Sequence, residues 1–379
     1  MGARCSFLDA AFGGVSFFKS GWKLLLRAGG VPPFLDKEAW NSYRTAFSDM
    51  TRRRVSELLN PDKRILVVGE VMLDQFIWGK VSRISPEAPV PVVEVMRETF
   101  AAGGAANVAR NLREFVDHVH LLSLTGTERD AETLRELLTA RGVNLEQVLS
   151  DEGYMTIRKT RVVARGQQVV RVDYERRRGF TEEQRAQALE RFEALLPSLD
   201  AIILEDYDKG LLDQALVDAI IGAARNRGKI VTVDPKPSNP IQWSNVTCIT
   251  PNRGEAFRAA GRPVTDPVDP PLKDRALLEV GHLLLEKWRC DHVLVTLSEQ
   301  GMILFDPGRD PYHIPTRAQE VIDVSGAGDT AIAVLTSALA NGATPVEAAE
   351  IANHASGIVV AKAGTAVATR EEVLASFAA

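Results

Sequence analysis

From Arg64 onward, short unbroken apolar runs take turns with stretches of helical periodicity. The runs cover 65–68, 119–124, 201–204, 230–233, 246–249 and 293–297. Helical patterns fill 105–115, 131–141, 182–196, 213–227 and 276–288. A strand covered on both faces has no polar side, so it reads as a continuous apolar run. Such runs alternating with helices predict βαβ units, a mostly parallel sheet, and helices on both faces. The fold class is therefore α/β. Two stretches break the rhythm, 75–98 and 154–174, where apolar and polar residues alternate with no helix between. They predict small antiparallel strands added to the main sheet. Three further helical patterns, 328–340, 345–362 and 370–377, close the chain.

Composition narrows the function. Among 379 residues, 45 Lys and Arg face 50 Asp and Glu, for a net charge of −5. That balance lacks the electrostatic footprint of a general nucleic-acid binder. No apolar run approaches the length of a membrane span. Cys5, Cys248 and Cys290 lie too far apart for a Cys-x-x-Cys site or a disulfide framework, which suits a reducing cytoplasm. The histidines show no metal-ligand spacing. Residues 1–60 contain glycine pairs, Pro32-Pro33 and Arg52-Arg53-Arg54, with no strand pattern beyond a short helix over 51–59. They read as an N-terminal appendage, and 61–379 as one domain.

Two glycine-rich turns carry the chemistry. The first is Ala102-Gly103-Gly104-Ala105-Ala106-Asn107, where bare backbone precedes a helix and Asn107 can both donate and accept. The second is Asp323-Val324-Ser325-Gly326-Ala327-Gly328-Asp329, directly before an apolar helix. Gly326 to Ala331 also fits the loose pattern Gly-x-Gly-x-x-Ala of dinucleotide sites. That fingerprint belongs after a first strand, with an acid about 20 residues on, and the context here fails. A helix N-terminus behind glycines instead offers donors and a positive dipole end to a phosphoryl group. Asp329 in the same turn can take a proton from an attacking hydroxyl, or simply cap the helix.

These two motifs, in this order, resemble the signatures of the ribokinase-like carbohydrate kinases, the phosphofructokinase-B group. Asn252-Arg253-Gly254-Glu255 is similar to the family's Asn-x-x-Glu. Thr296-Leu297-Ser298-Glu299-Gln300-Gly301 is similar to its strand and loop beside the nucleotide. The likeness covers about residues 64–375. It implies a three-layer α/β/α sandwich with a small β-lid formed by 75–98 and 154–174. Within the family, Gly69-Glu70-Val71-Met72-Leu73-Asp74, the run from Ser82-Arg83-Ile84-Ser85-Pro86-Glu87 to Val93, Arg171-Val172-Asp173, Asp206-Tyr207-Asp208-Lys209-Gly210 and Val233-Asp234-Pro235-Lys236 resemble the kinases of D-glycero-β-D-manno-heptose 7-phosphate, in their stand-alone form. Glu70 departs from the usual Asp, and Arg253-Gly254 from the usual Leu-Ser.

The resemblance implies ATP-dependent phosphorylation of that sugar's anomeric hydroxyl, in ADP-heptose and lipopolysaccharide core biosynthesis. Another sugar or a nucleoside as substrate, and a non-catalytic sensor, are the alternatives. It implies Asp329 as the base, with Gly326, Ala327 and Gly328 as the anion hole. Asp74, Gly103, Gly104 and Asn107 would hold the sugar. Arg110, Arg165, Arg171 and Lys209 are candidates for its 7-phosphate. Thr296, Ser298, Gly301 and Gly328 would line the nucleotide, and Asn252 and Glu255 would hold Mg2+ through water. Asp323 and Ser325, with carbonyls from 361–364, would hold K+ where members of the family do. The lids pair between subunits in this subgroup, so the expected protein is a cytoplasmic homodimer, with no nucleic-acid or membrane partner.

Overall fold

The computed structural model describes residues 50–318, 321–362 and 364–377. The chain divides into two units, Met1–Thr51 and Arg52–Ala379. The expected appendage lies largely outside the described residues. The second unit starts earlier than the boundary expected at 61. Helix α1 (Arg52–Leu58) buries Val55 and Leu58, and Arg54 pairs with Glu347 at 2.8 Å.

The central sheet has eight strands. They are β1 (Arg64–Gly69), β4 (His118–Leu122), β9 (Ala201–Glu205), β10 (Ile230–Asp234), β11 (Cys248–Ile249), β12 (His292–Thr296), β13 (Met302–Phe305) and β14 (Tyr312–Ile314). Their order is β14-β13-β12-β11-β10-β9-β1-β4. All pairs are parallel except β12–β13 and β13–β14. Ile65–Val68 and Ile202–Leu204 are fully buried, as the unbroken apolar runs require. The antiparallel extension β13–β14 was not read from the sequence, because its strands are too short to show a period.

The 75–98 and 154–174 stretches do not extend this sheet. They form a separate sheet with order β3-β2-β7-β8, from β2 (Val71–Ile84), β3 (Pro91–Gly104), β7 (Ile157–Ala164) and β8 (Gln167–Tyr174). Its middle pair, β2–β7, is parallel; the outer pairs are antiparallel. The run expected over 119–124 is broken at Ser123, whose hydroxyl donates to the Gly69 carbonyl at 2.7 Å. Beyond it β5 (Leu124–Thr125) pairs with β6 (Leu149–Ser150) instead.

Helices α2 (Ala105–Leu112), α3 (Arg129–Thr139), α4 (Glu182–Leu195), α5 (Gln214–Arg225), α6 (Arg253–Ala259), α7 (Arg275–Trp288), α8 (Ala327–Ala340), α9 (Pro345–Val360) and α10 (Arg370–Ser376) complete the unit. α8 is buried continuously from Asp329 to Leu339. It packs against α9, α2, β9 and β10, which explains its apolar character on every side. Several helices begin with a side-chain cap: Thr181, Asp213, Asn252, Asp274, Thr344 and Thr369. α2 and α8 begin at Gly104 and Gly326 without one. No helix among the described residues is long and apolar enough to cross a membrane.

Candidate active site

Parallel pairing places Gly69 beside Glu205, and Glu205 beside Asp234. The C-terminal ends of β1, β9 and β10 thus form one edge, the usual ligand edge of such sheets. The uncapped N-termini of α2 and α8 meet there.

Asp329 sits in the first turn of α8, 9 % exposed. Its Oδ2 accepts a short hydrogen bond from Asn107 Nδ2, and its Oδ1 accepts from Tyr207 Oη at 3.0 Å. Burial pushes its carboxyl upward, while these two donors pull it back. Gly326 has φ 80°, and a Cβ there would lie 2.9 Å from Asn107 Nδ2. Glycine at this position therefore lets α2 and α8 approach. Asn107 was expected to hold the sugar; its amide N–H holds the carboxylate expected to be the base.

Asp74 was expected to hold the sugar. It lies within β2, 6 % exposed, and its Oδ1 accepts from Arg161 Nη1 at 2.5 Å. A Cβ on Gly103 would fall 2.5 Å from Asp74 Oδ2. Gly103 thus leaves room for the Asp74 carboxylate. Asp74 and Asp329 lie close enough for the charge of Asp74 to raise the Asp329 carboxyl.

Each of the phosphate candidates is engaged by a protein group. Arg110 donates to the Thr365 carbonyl at 2.6 Å. Arg165, at the β7–β8 turn with φ 53°, donates to the Val81 carbonyl. Arg171 pairs with Asp173 at 2.9 Å and Lys209 with Glu175 at 3.0 Å. Lys159 links these two acids. Arg161, which no sequence motif singled out, is the cation that touches Asp74.

Thr296, Ser298, Gly301, Ala327 and Gly328 line one cavity of about 260 Å3, together with the apolar Val324. Asn252 and Glu255 lie outside that lining. They form a reciprocal cap on α6: Asn252 Oδ1 accepts from the Glu255 N–H at 2.9 Å, and Glu255 Oε2 accepts from the Asn252 N–H at 3.1 Å. Glu255 Oε1 accepts from Lys236 Nζ at 2.9 Å. Glu255 is 7 % exposed, so its carboxylate is a buried charge. Asp323 closes its own loop, accepting from the Ser325 N–H at 2.9 Å and the Gly364 N–H at 3.1 Å.

Sequence reasoning assigned no role to Glu70 or Tyr207. Glu70 is buried at the end of β1. Its Oε2 accepts from the Tyr207 N–H at 3.0 Å, and its Oε1 from the Lys209 and Leu211 N–H groups at 3.1 and 3.0 Å. One side chain therefore fixes the loop that carries Tyr207 to Asp329. The departure from Asp at position 70 has this physical content: the extra methylene reaches three backbone donors. Asp206, in the same loop, accepts from the Asp208 N–H and from Asn239 Nδ2. Its burial, then the charge of Glu70, push its carboxyl up to about 7.

The fold and this edge place the chain in a known class. The sequence profile of the pfkB family carbohydrate kinases matches residues 62–372, and the chain belongs to that family. Among curated proteins, it is 44 % identical over 316 residues to the bifunctional protein HldE of Desulfatibacillum aliphaticivorans, covering 83 % of this chain and 63 % of that protein. It is also 44 % identical over 309 residues to the bifunctional protein HldE of Photobacterium profundum, covering 82 % and 62 %. The chain thus spans under two thirds of the length of these relatives. Among solved structures, Arabidopsis thaliana ribokinase complexed with ribose and ATP shares the fold at TM-score 0.65 and 18 % identity, over 83 % of this chain and 99 % of that one. Escherichia coli phosphofructokinase-2 in complex with potassium does so at TM-score 0.68 and 18 % identity, over 83 % and 98 %.

Proposed function

We propose that the protein transfers the γ-phosphoryl group of ATP to the anomeric hydroxyl of D-glycero-β-D-manno-heptose 7-phosphate, giving the 1,7-bisphosphate and ADP. One observation carries the reading. A buried carboxylate, Asp329, stands at the open N-terminus of α8 with both oxygens held, in the same cleft as Asp74. The kinship with the HldE proteins supports the heptose as substrate, and with it a place in ADP-heptose and lipopolysaccharide core synthesis in the cytoplasm.

In this reading Asp329 accepts the proton of the attacking hydroxyl. Backbone N–H groups of Ala327 and Gly328, behind Gly326, stabilise charge on the transferring group. Asp74, with Gly103 and Gly104, orients the sugar hydroxyls. Arg161, which adjoins Asp74, joins Arg110, Arg171 and Lys209 as a candidate for the 7-phosphate. The cavity lined by Thr296, Ser298 and Gly301 takes the nucleotide. Mg2+ supplies charge neutralisation on the phosphates, and Asn252 and Glu255 would hold its waters. Asp323 and Ser325 are the residues for K+. The four-stranded sheet leaves Ile84, Val95, Met96 and Val170 each at least 48 % exposed. That apolar surface supports pairing of two copies as a homodimer.

The test is coupled ADP release with heptose 7-phosphate, ribose and fructose 6-phosphate side by side. Preference for the heptose phosphate is expected. Preference for ribose would overturn the substrate. Tight ATP binding with no turnover of any sugar would favour a sensor.

A further inference from the structure

Arg253 opens α6, yet its side chain is only 12 % exposed. A guanidinium withdrawn from water needs partners. Its hydrogen bonds all go to one segment, residues 262–274. Nη2 meets Asp274 Oδ2 at 2.7 Å, Thr265 Oγ1 at 3.1 Å, and the Thr265 and Asp266 carbonyls at 3.2 and 3.3 Å. Nε donates to the Thr265 carbonyl at 3.3 Å. The guanidinium carbon lies 4.9 Å from the centre of the Phe257 ring. Asp274 is buried as well, and its Oδ1 caps α7 by accepting from the Leu277 N–H at 3.0 Å.

The segment joins α6 to α7 and contains Pro263, Pro267, Pro270 and Pro271. Each proline fixes its own φ, so a strap fastened at both ends has little freedom left. The strap also reaches a third place. The Val268 carbonyl accepts from Gln300 Nε2 at 3.1 Å, and the Gln300 carbonyl accepts from His313 Nε2, on β14, at 2.7 Å. Gln300 is thus gripped by the strap and by β14.

Gln300 belongs to the turn between β12 and β13. Ser298, Glu299 and Gly301 of that turn line the cavity assigned to the nucleotide. Ser298 has φ 52° and Gly301 φ 84°. A serine in the left-handed region is uncommon, and such strain persists only where the surroundings hold it. The start of α6 meets the same wall a second time. Asn252 bridges to Thr296, and the Thr296 N–H donates to the Pro251 carbonyl at 3.0 Å. Arg253, the strap, Gln300, Thr296 and Asn252 therefore close a ring around one side of the cavity. A strap that only tied α6 to α7 would not need its bond to Gln300.

We propose that the 262–274 strap holds the Ser298–Gly301 turn in the shape that accepts the nucleotide, with Arg253 and Gln300 as positioning residues. The inference rests on the reading that this cavity takes the nucleotide. Neither residue lines the cavity, so each acts through the turn. Loss of either lets Ser298 relax, and nucleotide affinity falls while the sugar side of the cleft is untouched.

The experiment is calorimetric titration of the full chain with the non-hydrolysable analogue AMP-PNP and Mg2+, without sugar. KM for both substrates and the melting temperature are measured alongside. Gln300→Leu should weaken the analogue about fivefold or more, and Arg253→Leu about tenfold or more. Arg253→Lys should recover part of the loss, because an ammonium still meets Asp274 but cannot fork to Thr265. The double variant Arg253→Leu with Gln300→Leu should bind no more weakly than the weaker single variant, since both break one path. KM for ATP should rise with kcat at saturating ATP and KM for the sugar unchanged. Gln300→Leu removes one bond of a half-buried side chain, which guards against a folding defect in Arg253→Leu. Wild-type affinity in folded Gln300→Leu would overturn the proposal, and so would equal rises in both KM values or additive losses in the double variant. Val324→Glu, which sets a negative charge on the exposed cavity rim, separates the two readings. Weakened binding there, with Gln300→Leu and Arg253→Leu unaffected, would sink the strap alone. Unchanged binding in Val324→Glu would remove the nucleotide from this cavity, and the strap's role with it.

Discussion

Tyr207 Oη lies 3.0 Å from Asp329 Oδ1, joining the loop after β9 to the first turn of α8. The phenol donates to the carboxylate and so favours its charged form. Tyr207→Phe removes that donor and lets the Asp329 carboxyl rise. If Asp329 is the base, the acidic limb of the kcat–pH profile moves to higher pH, with kcat down about tenfold at neutrality. A limb that stays in place would remove Tyr207 from any role in holding the base.

Asp329→Asn keeps the shape and removes the proton acceptor. Turnover should fall about 10²–10⁴-fold or more, while ATP affinity is retained. Burial penalises the charge at this position, so the melting temperature should equal or exceed that of the wild type. Substantial residual activity would disqualify Asp329 as base.

Glu70→Asp shortens the one side chain that binds the Tyr207, Lys209 and Leu211 N–H groups. Buried donors left unsatisfied cost about 1–3 kcal/mol each. Urea unfolding should show a loss in that range, and the kcat–pH limb should move in the same direction as in Tyr207→Phe. Unchanged stability would mean that the loop settles onto the shorter acid.

Gly103→Ala places a Cβ against the Asp74 carboxylate. KM for the sugar should rise about tenfold or more, and KM for ATP should not change. Equal effects on both would mean a general distortion of the cleft.

Asp206 titrates in the folded protein at about 7, well above its unfolded range. Between about pH 4 and 7 the folded state then holds a proton that the unfolded chain has lost. Stability conferred by this group therefore falls as pH rises through that window. Denaturant midpoints measured from pH 5 to 8 should decline, and Asp206→Asn should flatten the decline. A rise over the same range would reverse the assignment.

Much of this was legible in the sequence, for local reasons. β1, β9 and β10 announce themselves as unbroken apolar runs. Gly326 and Asp329 are three residues apart, so their meeting at one helix start needs no tertiary knowledge. Glu205, Asp234 and Glu70 were not legible as site residues. Each is a lone acid after an apolar run, and only the parallel register makes them neighbours. Arg161 was missed for the same reason: its partner Asp74 lies across the β2–β7 pairing. Arg165 and Arg171 drew attention as cations near motifs, yet the structure spends them on the β7–β8 turn and on Asp173.

β2 runs without a break from buried Val71 to exposed Ile84, and β3 returns from exposed residues to buried Gly103 and Gly104. No loop separates the outer part of this sheet from Asp74, Gly103 and Gly104. The ribbon is therefore a lever rather than a flap. Its irregular points, between Trp78 and Gly79 and between Val81 and Arg83, are where it can flex. A tilt of the stretch between them and the central sheet moves Asp74 and Gly103 with it.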